Sequence, residues 1–128
     1  MPAEVVELFA QSGLCLREGG IVEIETPPRM SGDADGWLVA CFRASSNRDV
    51  HSDYWEIHPA GQEVVAVLSG SARLILRAQG LAGEETVVLG AGAACVVPRD
   101  RWHRLEVDGP TELQSITPRR GSRVEPAT

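Results

Sequence analysis

Glu56, His58, Glu63 and His103 are the residues of this 128-residue chain whose types and spacing best suit metal chemistry. In an extended strand, residues two apart face one side, so Glu56 and His58 project together while Trp55 and Ile57 project oppositely. Pro59 and Gly61 turn the chain, and Glu63 opens the next apolar run, where hairpin geometry would return a carboxylate beside the first pair. From Gly92 to His103, a strand, a tight turn around Pro98 and Asp100, and a further strand would bring His103 to the cluster from across a barrel. Two imidazoles and two carboxylates make a borderline-hard donor set that suits one divalent ion: Fe(II), Mn(II), Zn(II), Co(II) or Ni(II). Coordination positions left open would admit water or a substrate. Without an ion, two carboxylates facing one pocket repel and one stays protonated, a cost that a divalent cation removes.

Other side chains are placed by the same parity. Tyr54 faces inward with Glu56 and His58, so its hydroxyl is a candidate proton donor to a bound ligand, with core filling behind a polar tip as the equal alternative. Val65 and Val67 accompany Glu63, and Leu105 and Val107 accompany His103, which gives an apolar pocket floor. His51 and Asp53 read as loop residues at the mouth and not as ligands. Trp55 and Trp102 point outward, for packing against a second sheet, an N-terminal arm or another subunit. Arg99, Arg101 and Arg104 could steer an anionic substrate, or pair with Asp100 and Glu106 as surface arginines usually do.

The elements that must position these groups are short strands. From Leu14 onward, runs rich in Val, Ile, Leu and Trp alternate with Gly, Pro and Asp clusters, the rhythm of an all-β sandwich or barrel. The expected strands are Leu14–Arg17, Ile21–Glu25, Trp37–Arg43, Tyr54–His58, Glu63–Ser69, Ala72–Ala78, Glu85–Leu89, Ala94–Val97, Trp102–Val107 and Thr111–Thr117. Turn chemistry separates them, as at Gly19-Gly20, Ser69-Gly70 and Asp108-Gly109-Pro110. The first dozen residues fit either one short helix or an arm lying on a partner. Pro118 onward reads as a basic, frayed tail. One domain over residues 1–128 is expected, with a core barrel of about 14–117 and a tail at 118–128.

At the two clusters the sequence resembles the cupin superfamily. The family's first motif, G-x5-H-x-H-x3-4-E-x6-G, corresponds to Glu56-x-His58-x4-Glu63-x6-Gly70. The second, G-x5-P-x-G-x2-H-x3-N, corresponds to Gly92-x5-Pro98-x-Asp100-x2-His103. The short stretch between them, Ser71 to Ala91, is like that of small single-domain bacterial cupins. Glu56 stands where the family usually has its first histidine, which implies a retuned metal preference. Asp100 replaces the turn glycine, Val107 the final asparagine and Val50 the opening glycine. The resemblance implies a double-stranded β-helix, or jelly-roll, barrel with a short N-terminal arm or helix, a bound divalent metal ion and a homodimer. It also implies a range of small-molecule chemistry: dioxygenation, isomerisation or epimerisation, decarboxylation, cyclisation.

Composition excludes several alternatives. A formal charge of −6 repels phosphate backbones and anionic lipid surfaces, so nucleic acid is not an expected partner. No apolar run approaches the roughly 18 residues of a membrane span, and the first residues lack a secretory pattern, so a soluble cytoplasmic protein is expected. Cys15, Cys41 and Cys95 are odd in number and set among apolar residues, as buried free thiols are. No G-x-S-x-G elbow, P-loop, dinucleotide fingerprint or C-x-x-C pair is present. The sequence therefore favours a metal-dependent enzyme acting on a small organic molecule, with a non-catalytic ligand-binding or sensing barrel as the alternative.

Overall fold

Apolar runs between turn residues form the strands of the computed structural model, which describes residues 2–128, and in Glu63–Val67 and His103–Glu106 buried side chains alternate with less buried ones. The strands are β1 (Gly13–Arg17), β2 (Ile21–Glu25), β3 (Trp37–Ala44), β4 (Tyr54–Ile57), β5 (Glu63–Ser69), β6 (Ser71–Leu76), β7 (Glu85–Gly90), β8 (Ala94–Val97), β9 (His103–Glu106), β10 (Thr111–Pro118) and β11 (Arg123–Pro126). A single 3-10 turn, Asn47–Val50, interrupts them, and among the described residues there is no α-helix. Residues 2–12, preceding β1, are therefore an arm with a turn, not a helix. Among the described residues no helix is long and apolar enough to cross a membrane.

The strands form two antiparallel sheets, one ordered β2-β1-β3-β10-β5-β8 and the other β11-β4-β9-β6-β7. This is the jelly-roll arrangement expected. Between the sheets, Val65, Val67, Leu74, Leu105 and Leu113 belong to one buried cluster. Val65, Val67, Leu105 and Val107, the expected pocket floor, are packed into that core.

The opposite face of the larger sheet is unusual for a surface. Register places Ile24, Leu14, Val39, Ile116, Val64 and Val96 side by side across all six strands. A one-sided antiparallel sheet ordinarily puts polar residues there. Beside this row, a groove of about 970 Å³ is lined by Leu16, Trp37, Ile116 and Pro118 together with charged residues such as Arg17 and Arg120, and none of Glu56, His58, Glu63 and His103 lines it.

The segment expected to be a frayed tail is ordered structure. β11 pairs with β4, with Val124 opposite Glu56, and Arg119 is 1% exposed, its guanidinium held by Glu25, the Arg29 and Asp35 carbonyls and Cys15. The segment Arg119 to Arg123 carries three arginines but reaches into the protein because buried acceptors wait for one of them.

The outward tryptophans also meet arginines of the same chain. Trp55 is 8% exposed beneath the guanidinium groups of Arg77 and Arg104, 5.5 and 5.1 Å from its ring, and Arg123 of β11 lies 5.4 Å from the Trp102 ring. Arginine stacks on indole through cation–π attraction while its charge stays near water.

Candidate metal centre

β4 and β9 are neighbours in the smaller sheet, and Glu56 is directly opposite His103 in their register. Parity puts His58, the residue after β4, on the same side as Glu56. Glu63 opens β5 in the other sheet, where its neighbours are β10 and β8. The sequence expectation of Glu63 as a hairpin neighbour and His103 as a group from across the barrel is thus reversed. The connection Pro59-Ala60-Gly61-Gln62 crosses between sheets, so Glu63 faces the others through the interior, while β9 pairs alongside β4.

Three of the four residues form a group with metal-ligand spacing, and Glu63 stands against its two imidazoles. Glu56, His58 and His103 each offer a ligand atom, all within 4.8 Å of one another, a group that could hold a metal ion. Glu56 lies 4.0 Å from His58 Nε2 through Oε2 and 3.9 Å from His103 Nε2 through Oε1. Glu63 lies closer, with Oε2 3.3 Å from His58 Nε2 and Oε1 3.0 Å from His103 Nε2. Donors about 2.1 Å from a shared ion stand about 3.0–3.4 Å apart for right-angled to tetrahedral coordination. The Glu63 distances match that span, and those of Glu56 require an approach of about half an ångström by the same measure.

Hydrogen bonding behind the ligand atoms decides their chemistry. His103 Nδ1 is 2.8 Å from the Arg101 carbonyl, which only accepts, so Nδ1 carries the proton and neutral His103 has its lone pair on Nε2. His58 Nδ1 is 2.8 Å from Ser122 Oγ, whose own proton goes to the Pro118 carbonyl at 3.1 Å. His58 Nε2 is buried with no hydrogen-bond partner. With both imidazoles neutral, two nitrogen lone pairs and two carboxylates converge, all acceptors. A cation satisfies such a set, and a buried group left without one costs free energy.

Protons take that place when no ion is bound. Burial, reinforced by the Glu63 charge, pushes the Glu56 carboxyl above its ordinary value. Burial opposes ionisation of Glu63 as well, but the hydrogen bond with His103 and the His58 ring beside it hold that carboxyl low, at about 2. Burial would lower the His103 pKa, yet its hydrogen bond to Glu63 raises it overall. A low Glu63 and a raised His103 describe a buried carboxylate–imidazolium pair. Thr117, which sequence reasoning missed, donates its hydroxyl to Glu63 Oε2 at 2.6 Å. It lies on β10, one residue beyond the Ile116 to Val64 pairing, a long-range register that carries no local signal in the sequence.

A cavity of about 330 Å³ opens beside Glu56, lined by Val50, His51, Tyr54, Glu56, Arg104 and Val124. Its size lies at the low end of small-molecule sites. The lining is mixed in polarity, unlike the apolar floor expected, because Val65, Val67, Leu105 and Val107 are absorbed into the core. Tyr54, 42% exposed, is on the wall beside Glu56, and His51 is at the mouth as expected. The arginines of the second motif have structural partners: Arg99 donates to the Pro59 carbonyl, Arg101 to the Arg77 and Gly83 carbonyls, and Arg104 to Glu106. Asp100 takes a left-handed conformation, φ 62°, at the family's glycine position, which Asp tolerates better than most residues. Cys15, Cys41 and Cys95 are free, but only Cys15 is buried.

Comparison with known proteins agrees with the fold. The Cupin domain family matches residues 49–117, more than half of the chain, and the chain belongs to that family. A comparison with curated proteins finds no match. Among solved structures, a cupin-2 domain protein from Shewanella frigidimarina is 20% identical, with 65% of this chain and 71% of that one covered and a TM-score of 0.49. The iron(II) form of HppE is 17% identical over 63% of this chain and 43% of its own, TM-score 0.51. Oxalate decarboxylase of Bacillus subtilis, in a structure described for its Mn(II) centres, is 19% identical over 73% of this chain and 24% of its own, TM-score 0.52. The chain thus spans less than half of the latter two, and likeness at these identities concerns the fold alone.

Proposed function

We propose that this cupin is a metal-dependent enzyme acting on a small organic molecule, with Glu56, His58, Glu63 and His103 holding one divalent ion. The observation that carries the reading is the convergence of two imidazoles and two carboxylates, with both imidazole Nδ1 atoms engaged behind them and His58 Nε2 buried without a hydrogen-bond partner. Iron, manganese, zinc, cobalt and nickel all suit the donor set; the names of two structural relatives speak of iron(II) and Mn(II). Such an ion would polarise a substrate oxygen or, as Fe(II), support oxygen-dependent chemistry. The chain's own contribution is a Glu63 anchored on a strand whose Val65 and Val67 pack in the core, a cavity that admits a small molecule beside Glu56, and the Tyr54 hydroxyl as proton donor at its wall. Three free thiols suit a reducing compartment such as the cytoplasm.

Elemental analysis of protein purified without added metal tests the reading. About one equivalent of a divalent transition metal is expected, as one four-ligand site requires. If neither the purified nor the reconstituted protein holds metal, the cluster is a polar pocket and a ligand-binding barrel takes the enzyme's place.

Metal uptake is also expected to release protons and to strengthen with pH. The raised pKa values of Glu56 and His103 mean that both hold protons in the metal-free protein to higher pH than usual. Lowering the pH refills those positions and competes with the ion; raising it removes the competitor. Titrating metal into weakly buffered protein should acidify the solution, and pH-independent affinity would contradict the ligand assignment.

We also propose that two copies pair through the apolar row Ile24, Leu14, Val39, Ile116, Val64 and Val96. Light scattering should give the mass of a dimer, and Val39→Glu with Val64→Glu should give that of a monomer.

A further inference from the structure

We propose that Ser122 is a positioning residue for the metal centre, fixing His58 in the tautomer that aims the Nε2 lone pair into the site and thereby tying the C-terminal segment to metal binding. The inference rests on the metal reading above and extends it to a part of the chain outside both cupin motifs. A serine hydroxyl carries one proton. Ser122 gives it to the Pro118 carbonyl, a group that can only accept, so Oγ is left to accept from His58 Nδ1 at 2.8 Å. An imidazole whose Nδ1 proton is engaged in this way presents a bare Nε2, and here that atom is buried, unpartnered and 3.3 Å from Glu63 Oε2.

The hydroxyl is held in place by backbone that does not depend on a metal. Ser122 N–H donates to the Arg119 carbonyl at 2.9 Å, closing a turn anchored by the buried Arg119 side chain, and Gly121 N–H donates to the Gly32 carbonyl at 2.8 Å. Gly32 lies so close that a Cβ there would strike the Ser122 carbonyl oxygen. Gly121 has φ +80°, a conformation L side chains rarely adopt, and its missing Cβ would sit 2.8 Å from Pro59 Cγ. β11 follows at once, with Arg123 opposite Ile57 on the strand that leads to His58. Such partners behind a ligating histidine set its ring orientation and tautomer, and their loss typically costs 10–100-fold in metal affinity. Because coupling of this kind is reciprocal, metal binding should in turn protect the 119–126 segment from opening.

The test compares wild type, Ser122→Ala and Ser122→Thr in three measurements: Zn(II) affinity by chelator competition, imidazole nitrogen NMR of the metal-free proteins at a pH where His58 is neutral, and amide exchange of residues 119–126 with and without Zn(II). Expected are a weakening of about 10–100-fold in Ser122→Ala, with most of the affinity restored in Ser122→Thr, which keeps the hydroxyl. His58 should carry its proton on Nδ1 in wild type and distribute it over both nitrogens in Ser122→Ala, and Zn(II) should slow exchange of the segment in wild type. Wild-type affinity in Ser122→Ala, or a wild-type His58 protonated on Nε2, overturns the inference while leaving the metal centre standing. Wild-type protein that takes up no Zn(II) overturns both, and the NMR of the metal-free proteins then reports Ser122's hold on His58 independently.

Discussion

Replacing Arg119 with alanine is expected to lower the stability of the protein by about 3–5 kcal/mol, the range for breaking a buried ion pair from one side. Arg119 is 1% exposed. Its Nη1 and Nη2 donate to the two oxygens of Glu25 at 2.7 and 2.8 Å, a fork that only a planar guanidinium can make. The same side chain donates to the Arg29 carbonyl at 2.7 Å, the Asp35 carbonyl at 2.8 Å and Cys15 Sγ at 3.2 Å. Alanine strands all of these acceptors at once, around the loop between β2 and β3, and Arg119→Lys should recover little because a point ammonium cannot span the fork. The hydrogen bond from Arg119 holds Glu25 at about 2, below its ordinary 4.5. A carboxyl with a lowered folded-state pKa contributes stability that is complete above its unfolded value and lost as pH falls toward the folded one. Wild type should therefore weaken between about pH 5 and 2 in part through this pair, and Arg119→Ala should have lost that component already. Urea unfolding at neutral and acid pH measures both effects; a loss under about 1 kcal/mol would mean that Arg119 is replaceable by water, since that is the net worth of one ordinary hydrogen bond.

That keystone was invisible in the sequence, and the reason is physical. The strands β1 to β10 were legible as runs rich in Val, Ile, Leu and Trp between turn residues, and one that buries a single face, Glu63–Ser69, also announces itself by alternation. β11, Arg-Val-Glu-Pro, has one apolar residue and a proline, and forms because Arg119 anchors the turn before it and β4 offers an unpaired edge. Parity along one strand correctly brought Glu56 and His58 together, since the two-residue period is local. Whether Glu63 or His103 is the lateral neighbour depends on which sheet each strand joins, and the turn residues Pro59 and Gly61 serve a hairpin and a crossing between sheets equally well. Thr117 and Ser122 act through single hydroxyls from distant segments, a contact that no periodicity encodes. The same holds for Trp55: its outward direction was readable, but the arginines that cover it come from three-dimensional proximity.

Glu63→Gln is expected to abolish metal uptake, weakening it by more than about 100-fold, beyond what loss of an outer partner costs, while leaving the metal-free protein at least as stable as wild type. The two effects have one cause. Thr117 donates to Glu63 Oε2, so a glutamine would keep its carbonyl oxygen there and turn its amide toward His103 Nε2, 3.0 Å from the other carboxylate oxygen. The amide would donate to a lone pair that otherwise awaits a cation or a proton, replacing a buried ion pair by a neutral hydrogen bond, which removes the desolvation cost of two buried charges and leaves neither partner unsatisfied. It would also remove the charge that, after burial, raises the Glu56 pKa, so the Glu56 carboxyl should titrate at lower pH in the variant. His103→Ala should lose metal equally but also lose stability, because it leaves Glu63, 4% exposed, without its imidazole partner. Metal content and thermal unfolding of the metal-free variants separate the two residues' roles: equal loss of metal with opposite changes in stability is the signature of a cluster that folds with protons and functions with an ion. A Glu63→Gln protein that still carries one equivalent would restrict the ligand set to Glu56, His58 and His103, the three groups whose donor atoms already lie within 4.8 Å of one another.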